Sequence, residues 1–451
     1  MKCNDIWVYK KMKESIISKI KINWYYIAYT VIISIIHIPM SYISDDAVKI
    51  SNNINLSVVE LAKMYWNNAY SGRYFIDTLG DVLFKIPINL WKAFDILVYL
   101  LIVVFLNVIF DVSDKNKPLV CGLMLLFPVS LMQSAGYIST SVNYLYPVLC
   151  ILIVAWSCKN IILSGKSMLL LLLLVIPILY LTNSDQAAVM LIALCVAIII
   201  MLLMNYKMIN KSIYTRAIIT MPIVLTEGVL GYLIYWIAPG HRSRATLTGG
   251  SWSYPGFENW NLFTKIYRGY SSTVANVMMQ YVGVYVFLTF LLFVLCIAKE
   301  KALYKKIIIS VPFFFSIFEL VTKYKYFVYS GDNMYGLYDM YLVSEGKKYG
   351  LVLMGSIFIV GCLIYGVCEL VDNTNLKIMT ILIFLFGCGT RLIMGLSNTL
   401  FGSGTRTFTM MIFSLIVCTI ILLKELDKLD IRYYSFTSGA LSFAVILSFL
   451  L

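Results

Sequence analysis

Apolar runs of roughly 18 to 20 residues recur from one end of the chain to the other, separated by short polar stretches. That is the length a helix needs to cross the hydrocarbon layer. A barrel would show shorter alternating segments and a polar interior, so the pattern predicts helices throughout. The first span covers about Trp24 to Ile43 and the second about Trp91 to Phe110. Between them, Leu56 to Leu90 mixes apolar and polar positions. It reads as one or two amphipathic helices lying on the membrane surface, with Pro87 ending the second. The third span runs from Pro118 to Gln133, and the turn SAGYISTSVNYLYP leads into the fourth. The fifth is short, Met168 to Thr182, and the sixth ends near Asn205. The seventh runs to Ala238, and five or six more complete a count of about thirteen. The expected fold is all-α: one polytopic transmembrane domain over residues 1–451, without internal repeat or soluble domain.

Composition fits this picture. Sixty per cent of the residues are hydrophobic and only 13% are charged, more apolar side chain than a soluble core can hide. The net charge of +13 comes from lysines clustered in short loops. That is the positive-inside bias, not a nucleic-acid footprint. Lys10, Lys11, Lys13, Lys19 and Lys21 place the N-terminus in the cytoplasm, and no small-residue cleavage site follows, so the first run reads as a retained anchor. The cysteines lie in apolar runs or on cytoplasmic edges, which argues against a disulfide framework. Two histidines, His37 and His241, are too few for a histidine-based metal centre.

The loops then divide by chemistry. Inner loops are short and lysine-rich. Outer loops span residues 44–90, 238–273 and 323–348, and the predicted outer face gathers Asp45, Asp46, Asp185, Glu258, Asp332, Arg73, Arg242, Arg244 and Arg406. Function is expected on that face. Asp45 and Asp46 emerge where the first span ends. A carboxylate there can take the proton of an acceptor hydroxyl whose lipid-linked partner stays in the bilayer; Ser44-Asp45-Asp46 also reads as a helix N-cap. Arg73 follows Tyr65, Trp66 and Tyr70, and its guanidinium can grip a phosphate while the rings stack on sugar faces; a snorkelling arginine is the alternative. Pro239-Gly240-His241-Arg242-Ser243-Arg244 reads as a basic turn able to receive a phosphate at the membrane edge, or as an anionic-lipid contact. Arg406 is a weaker case of the same kind. Asp185 could orient the acceptor or serve only its turn. Arg391 lies inside a predicted span, with Glu227 and Glu319 as candidate intramembrane partners. The tyrosines from Tyr324 to Tyr349 form either a glycan-binding wall or an aromatic girdle.

No phosphate-binding loop occurs, so an ATP-driven pump is disfavoured, and there is no cytoplasmic domain for a nucleotide-sugar. Asp45-Asp46 after the first span, Tyr65-Trp66 with Ser71-Gly72-Arg73, and Pro239-Gly240 with Arg242 together resemble the GT-C superfamily of polytopic glycosyltransferases, in particular its bacterial Gtr-type O-antigen glucosyltransferases. The resemblance implies an enzyme of the bacterial inner membrane, active on the outer face. Its donor would be a polyprenyl-phosphate sugar and its acceptor a glycan or lipid-linked glycan of the cell surface. It implies Asp45 or Asp46 as base; residue chemistry adds Arg73, Arg242, Arg244, Arg406, Asp185, Trp66 and Tyr70 as the candidates for holding substrate. No cofactor is demanded, and a divalent cation is compatible. An O-antigen polymerase and a transporter of lipid-linked sugars are the competing readings. A transporter should carry inverted repeats or ionisable residues at mid-membrane.

Overall fold

The structure is a computed structural model that describes residues 23–67, 72–166, 168–207, 209–246, 256–279, 283–326, 346–400 and 402–450. Of residues 243–246, 279, 319–326, 346–352 and 450 it describes the backbone alone. The described residues are helical with no strand. The helices are α1 (23–37), α2 (Asp45–Asn53), α3 (Val58–Asn67), α4 (Tyr74–Phe84), α5 (Ile88–Ile109), α6 (Lys117–Leu125), α7 (Tyr137–Ser164), α8 (Leu170–Thr182) and α9 (Asp185–Met204). They continue as α10 (Lys211–Ile237), α11 (Pro239–Thr246), α12 (Leu262–Thr273), α13 (Gly283–Lys299), α14 (Leu303–Tyr326), α15 (Gly346–Leu370), α16 (Thr374–Met394), α17 (Thr409–Leu426) and α18 (Ile431–Leu450).

Among the described residues seven helices are long and apolar enough to cross a membrane, eight if the pair Leu262–Met278 and Gly283–Lys299, bent by 74°, is one span. The chain is therefore a membrane-embedded helical protein. Its helices are not equivalent. The span Thr405–Leu426, which holds α17, is 89% buried, whereas the other six are between 28% and 44% buried. A helix apolar all round is stable only in the centre of a bundle, and α17 is that centre. The wall turns aliphatic side chains outward: Leu169, Leu172, Leu173 and Ile176 of the α8 segment are each about two-thirds exposed, at the spacing of one helix face. So much contiguous exposed hydrocarbon is stable only against lipid.

Three expectations change. The third span is not one helix: α6 is nine residues long and gives way, at Pro128, to a 3₁₀ turn over Val129–Gln133. The fifth, α8, has thirteen residues, too short to cross as a straight helix. In the first loop, Leu56 to Leu90 holds two helices before α5, α3 and α4, in keeping with the one or two expected there, and α2 precedes them. A capping box starts α3, Ser57 N donating to Glu60 Oε2 (2.7 Å) and Glu60 N to Ser57 Oγ (3.3 Å). Gly72, at φ +62°, separates α3 from α4. The loop is not a simple surface layer, because α4 buries Asp77 and Asp81 beside Ile76 and Phe84. The lysines of residues 1–22 lie outside the described residues.

The ends of the bundle differ in chemistry. At the end away from α2–α4, here the far end, ion pairs stitch the helix termini together. Lys159 Nζ bonds Asp111 (2.7 Å) and the Ile109 carbonyl (2.8 Å), and Lys115 pairs with Asp427 (2.9 Å). Glu425, 1% exposed, is held by Lys299 (2.6 Å) and Lys428 (2.8 Å), which also reach Asp372. Removing one partner of a buried ion leaves charge uncompensated. Lys299→Met is therefore expected to cost about 2–3 kcal/mol, read as a fall in the thermal midpoint of the detergent-solubilised protein. Lys305→Met, which removes the more exposed pair with Glu369, should leave the midpoint unchanged.

Candidate functional site

At the opposite end, the loop end, the first two turns of α7 are the common platform. Gly136, at φ +93°, turns the chain into α7. The next backbone N–H groups point at a carboxylate: Ile138 N donates to Asp46 Oδ2 (3.0 Å) and Ser139 N to Asp46 Oδ1 (2.9 Å). Asp46 is fully buried. It caps a helix from a distant segment, satisfying donors that the first turn leaves orphaned. A Cβ on Gly136 would lie 2.4 Å from the Asp46 carboxyl carbon, so only glycine admits the contact. Burial pushes the Asp46 carboxyl above its ordinary value, while the Ser139 and Ile138 donors and the Lys49 ammonium pull the other way.

One helical turn further, Asn143 holds the arginine. Arg73 Nη1 donates to Asn143 Oδ1 (2.9 Å), and Asn143 Nδ2 donates back to Ser139 O (2.8 Å). Arg73 opens α4 at its N-cap. Burial works against its charge, but Tyr144, Tyr235, Asp77 and Asp185 around it outweigh the burial and hold the guanidinium above its ordinary value. Residues Ser141–Leu145 form a π turn, and Tyr180 OH takes the Val142 carbonyl (2.5 Å). Such turns inside α-helices often mark functional positions.

The α8–α9 turn completes the platform. Asn183 Oδ1 accepts from Phe75 N (3.0 Å), fixing the start of α4. Asp185 accepts from Tyr232 (3.1 Å) and Tyr235 (3.4 Å) of α10. Gln186 Nε2 donates to the carbonyls of Thr407 (2.9 Å) and Thr390 (3.2 Å). Arg406 Nη1 reaches Ser134 O (3.1 Å), tying the approach to α17 to the approach to α7. Segments far apart in the chain thus meet at one end.

The two acidic candidates separate. Asp46 is a buried cap with both oxygens engaged, whereas Asp45 is exposed and, among the described residues, makes no hydrogen bond or ion pair. Ser44 does not cap α2 with its side chain, and it stands at φ +50°. That conformation is strained for a residue with a Cβ, and strain of this kind gathers at functional positions. Arg73 and Asp185 come together. Trp66 stands off the cluster, half-buried and edge-on to Tyr74 at 4.9 Å. Arg242 is exposed on α11, so the expected basic turn is a helix. Its neighbour His241 packs on Tyr235 at 4.6 Å and lies against Gly72. Glu258 is exposed on a short 3₁₀ turn. Tyr70, Asp332, the aromatic loop over 327–345 and the side chains of Arg244 and Glu319 lie outside the described residues. Arg391 is buried but not paired with Glu227; it bonds Thr407 Oγ1 and Ser272 Oγ (3.3 Å) and lies 3.7 Å over the Phe408 ring.

Beside the platform lies a polar cluster that sequence reading missed. Asp77 and Asp81 stand four apart on the buried face of α4. Lys49 Nζ bonds Asp77 (3.2 Å), while Tyr65 OH and Asn53 Nδ2 each bond Asp81 at 2.8 Å. Burial raises the Asp81 carboxyl above its ordinary value, against the pull of Lys49. The i, i+4 spacing of the two aspartates was its one signal; Asn143 and Asn183 gave none. Among the described residues no three His, Cys, Asp or Glu side chains group to hold a metal ion. No protein-family model matches the chain, and neither a curated protein nor a solved structure does.

Proposed function

We propose that the chain is a membrane glycosyltransferase that moves a sugar from a polyprenyl-phosphate donor to a surface-glycan acceptor at the loop end of the bundle. The observation that carries the reading is the shared platform. Asp46 and Arg73 attach one turn apart to the start of α7, so that the open Asp45 carboxylate and a guanidinium belong to one structure. Asp45 takes the acceptor hydroxyl proton. The resulting oxygen attacks the anomeric carbon as the bond to the lipid phosphate breaks, and a single displacement inverts that centre. Arg73, with Arg242 and Arg406 nearer the rim, offsets the charge that develops on the departing phosphate. Asp185 positions the tyrosines beside Arg73, and Trp66 offers a ring to the sugar. The loop end faces outward and the lysine-stitched far end faces the cytoplasm of a bacterial inner membrane. With α1, α6 with its continuation, α8, α14 and α18 also traversing, the chain makes about thirteen passages.

The test is sugar transfer from a synthetic polyprenyl-phosphate hexose by membranes containing wild-type protein or Arg73→Gln at matched expression. Loss of about a hundredfold is expected in the variant. Undiminished transfer by Arg73→Gln would remove that residue from the mechanism. No transfer by the wild type, with several donors tried, would move the reading to a polymerase of lipid-linked repeat units.

A further inference from the structure

A cavity of about 700 Å³, counted to its open side, lies between α5, α7, α9, α16 and α17. Leu106, Phe110, Ile151, Ala155, Leu194 and Val417 are among the side chains that line it. The one hydroxyl in its wall, Ser414 Oγ, is spent on the Met410 carbonyl of its own helix (2.9 Å). The space offers water no partner, and such cavities stay dry. Beside hydrocarbon, the group that fits is a hydrocarbon chain.

The helices that line the cavity lead to charge at the far end. On α7, Lys159 is one turn beyond Ala155 on the same face. On α17, Lys424 is two turns beyond Val417 on the same face, and helical side chains lean back toward the N-terminus, here toward the cavity. The two lysines differ in occupancy. Lys159 Nζ bonds Asp111 and the carbonyls of Val108 and Ile109, which uses its three hydrogens. Lys424 is half-buried and, among the described residues, has no hydrogen bond or ion pair. Its charged neighbours are Asp111, Lys159 and Asp427, and the two carboxylates are engaged by Lys159 and Lys115. One ammonium is therefore left over where the apolar cavity meets the headgroup region.

We propose that this cavity holds one acyl chain of a membrane phospholipid whose anionic headgroup rests on Lys424. The site is independent of the glycosyl-transfer reading and lies at the other end of the bundle. A long-chain phosphate or phosphodiester suits it; a zwitterionic headgroup gains less, because its own cation meets Lys159 and Lys424.

The experiment is native mass spectrometry of the full chain, exchanged into detergent with equal parts phosphatidylglycerol and phosphatidylcholine of identical acyl chains. Wild type is expected to retain phosphatidylglycerol about fivefold over phosphatidylcholine. Lys424→Gln should bring the ratio to parity and Lys424→Arg should keep it. Ala155→Phe, which fills the cavity, should reduce adducts of both lipids, with helicity checked by circular dichroism. Equal retention by the wild type, or an unchanged preference in Lys424→Gln, would overturn the proposal. So would preferential retention of a polyprenyl phosphate added to the mixture, which would reassign the cavity to a carrier lipid.

Discussion

Asp45→Asn and Asp46→Asn are expected to fail in opposite ways. Asp46→Asn should lower the thermal midpoint of the purified protein by the equivalent of about 2–4 kcal/mol, and transfer should fall with the folded fraction. An amide has one oxygen where the carboxylate has two. It can accept from Ile138 N or from Ser139 N, and its NH₂ then faces the other donor inside a fully buried contact. Asp45→Asn should leave the midpoint unchanged, because no hydrogen bond or ion pair is lost. Transfer from a polyprenyl-phosphate hexose should fall by about a hundredfold or more, the usual contribution of a positioned base. Differential scanning fluorimetry and the transfer assay on the same preparations separate the two. An Asp45→Asn protein that transfers normally would move the base elsewhere, and Asp77, close to Arg73, would be the next to replace.

Gly72→Ala carries the second large effect. A Cβ at residue 72 would stand 2.4 Å from the His241 backbone nitrogen and 2.7 Å from its Cα, and the backbone sits at φ +62°. The left-handed conformation alone costs about 1–2 kcal/mol for a residue with a Cβ. Backbone atoms cannot swing aside as a side chain can, so the loop must move away from α11. Arg73 is the next residue, and its bond to Asn143 should be lost with that movement. The expected result is a protein with normal helicity, faster proteolysis within residues 44–90, and at least tenfold lower transfer. Unchanged proteolysis and activity would show that the docking of Gly72 on His241 is not what places Arg73.

The helical, membrane-embedded character was legible because it rests on period and run length, which a single sequence carries in full. Passages without a full-length helix were harder. Pro118 to Gln133 is apolar enough to read as a span, yet Pro128 breaks it, and residues Leu170–Thr182, apolar enough to read as a short span, form a helix of only thirteen residues. The candidate site was legible by residue type and not by role. Asp45 and Asp46 are adjacent and alike in sequence, and only the placement of α7 makes one a cap and leaves the other open. Asn143, Asn183 and Gln186 hold the platform together through amide groups with no spacing to mark them. Asp77 and Asp81 lie within Leu56 to Leu90, a stretch whose mixed pattern predicts a surface helix, but both are buried.

The ties that close the loop end span long stretches of chain. Arg406 meets Ser134 across 272 residues and Gln186 meets Thr407 across 221. Synthesis must therefore pass residue 407 before that end can assume its final arrangement. Earlier helices insert and wait with their polar ends incompletely satisfied, and the arrival of α17 in the middle of the bundle is the event that completes them. Closure of the loop end thus waits on the segment that carries Arg406, Thr407 and α17, and a chain stalled before it would leave the platform open.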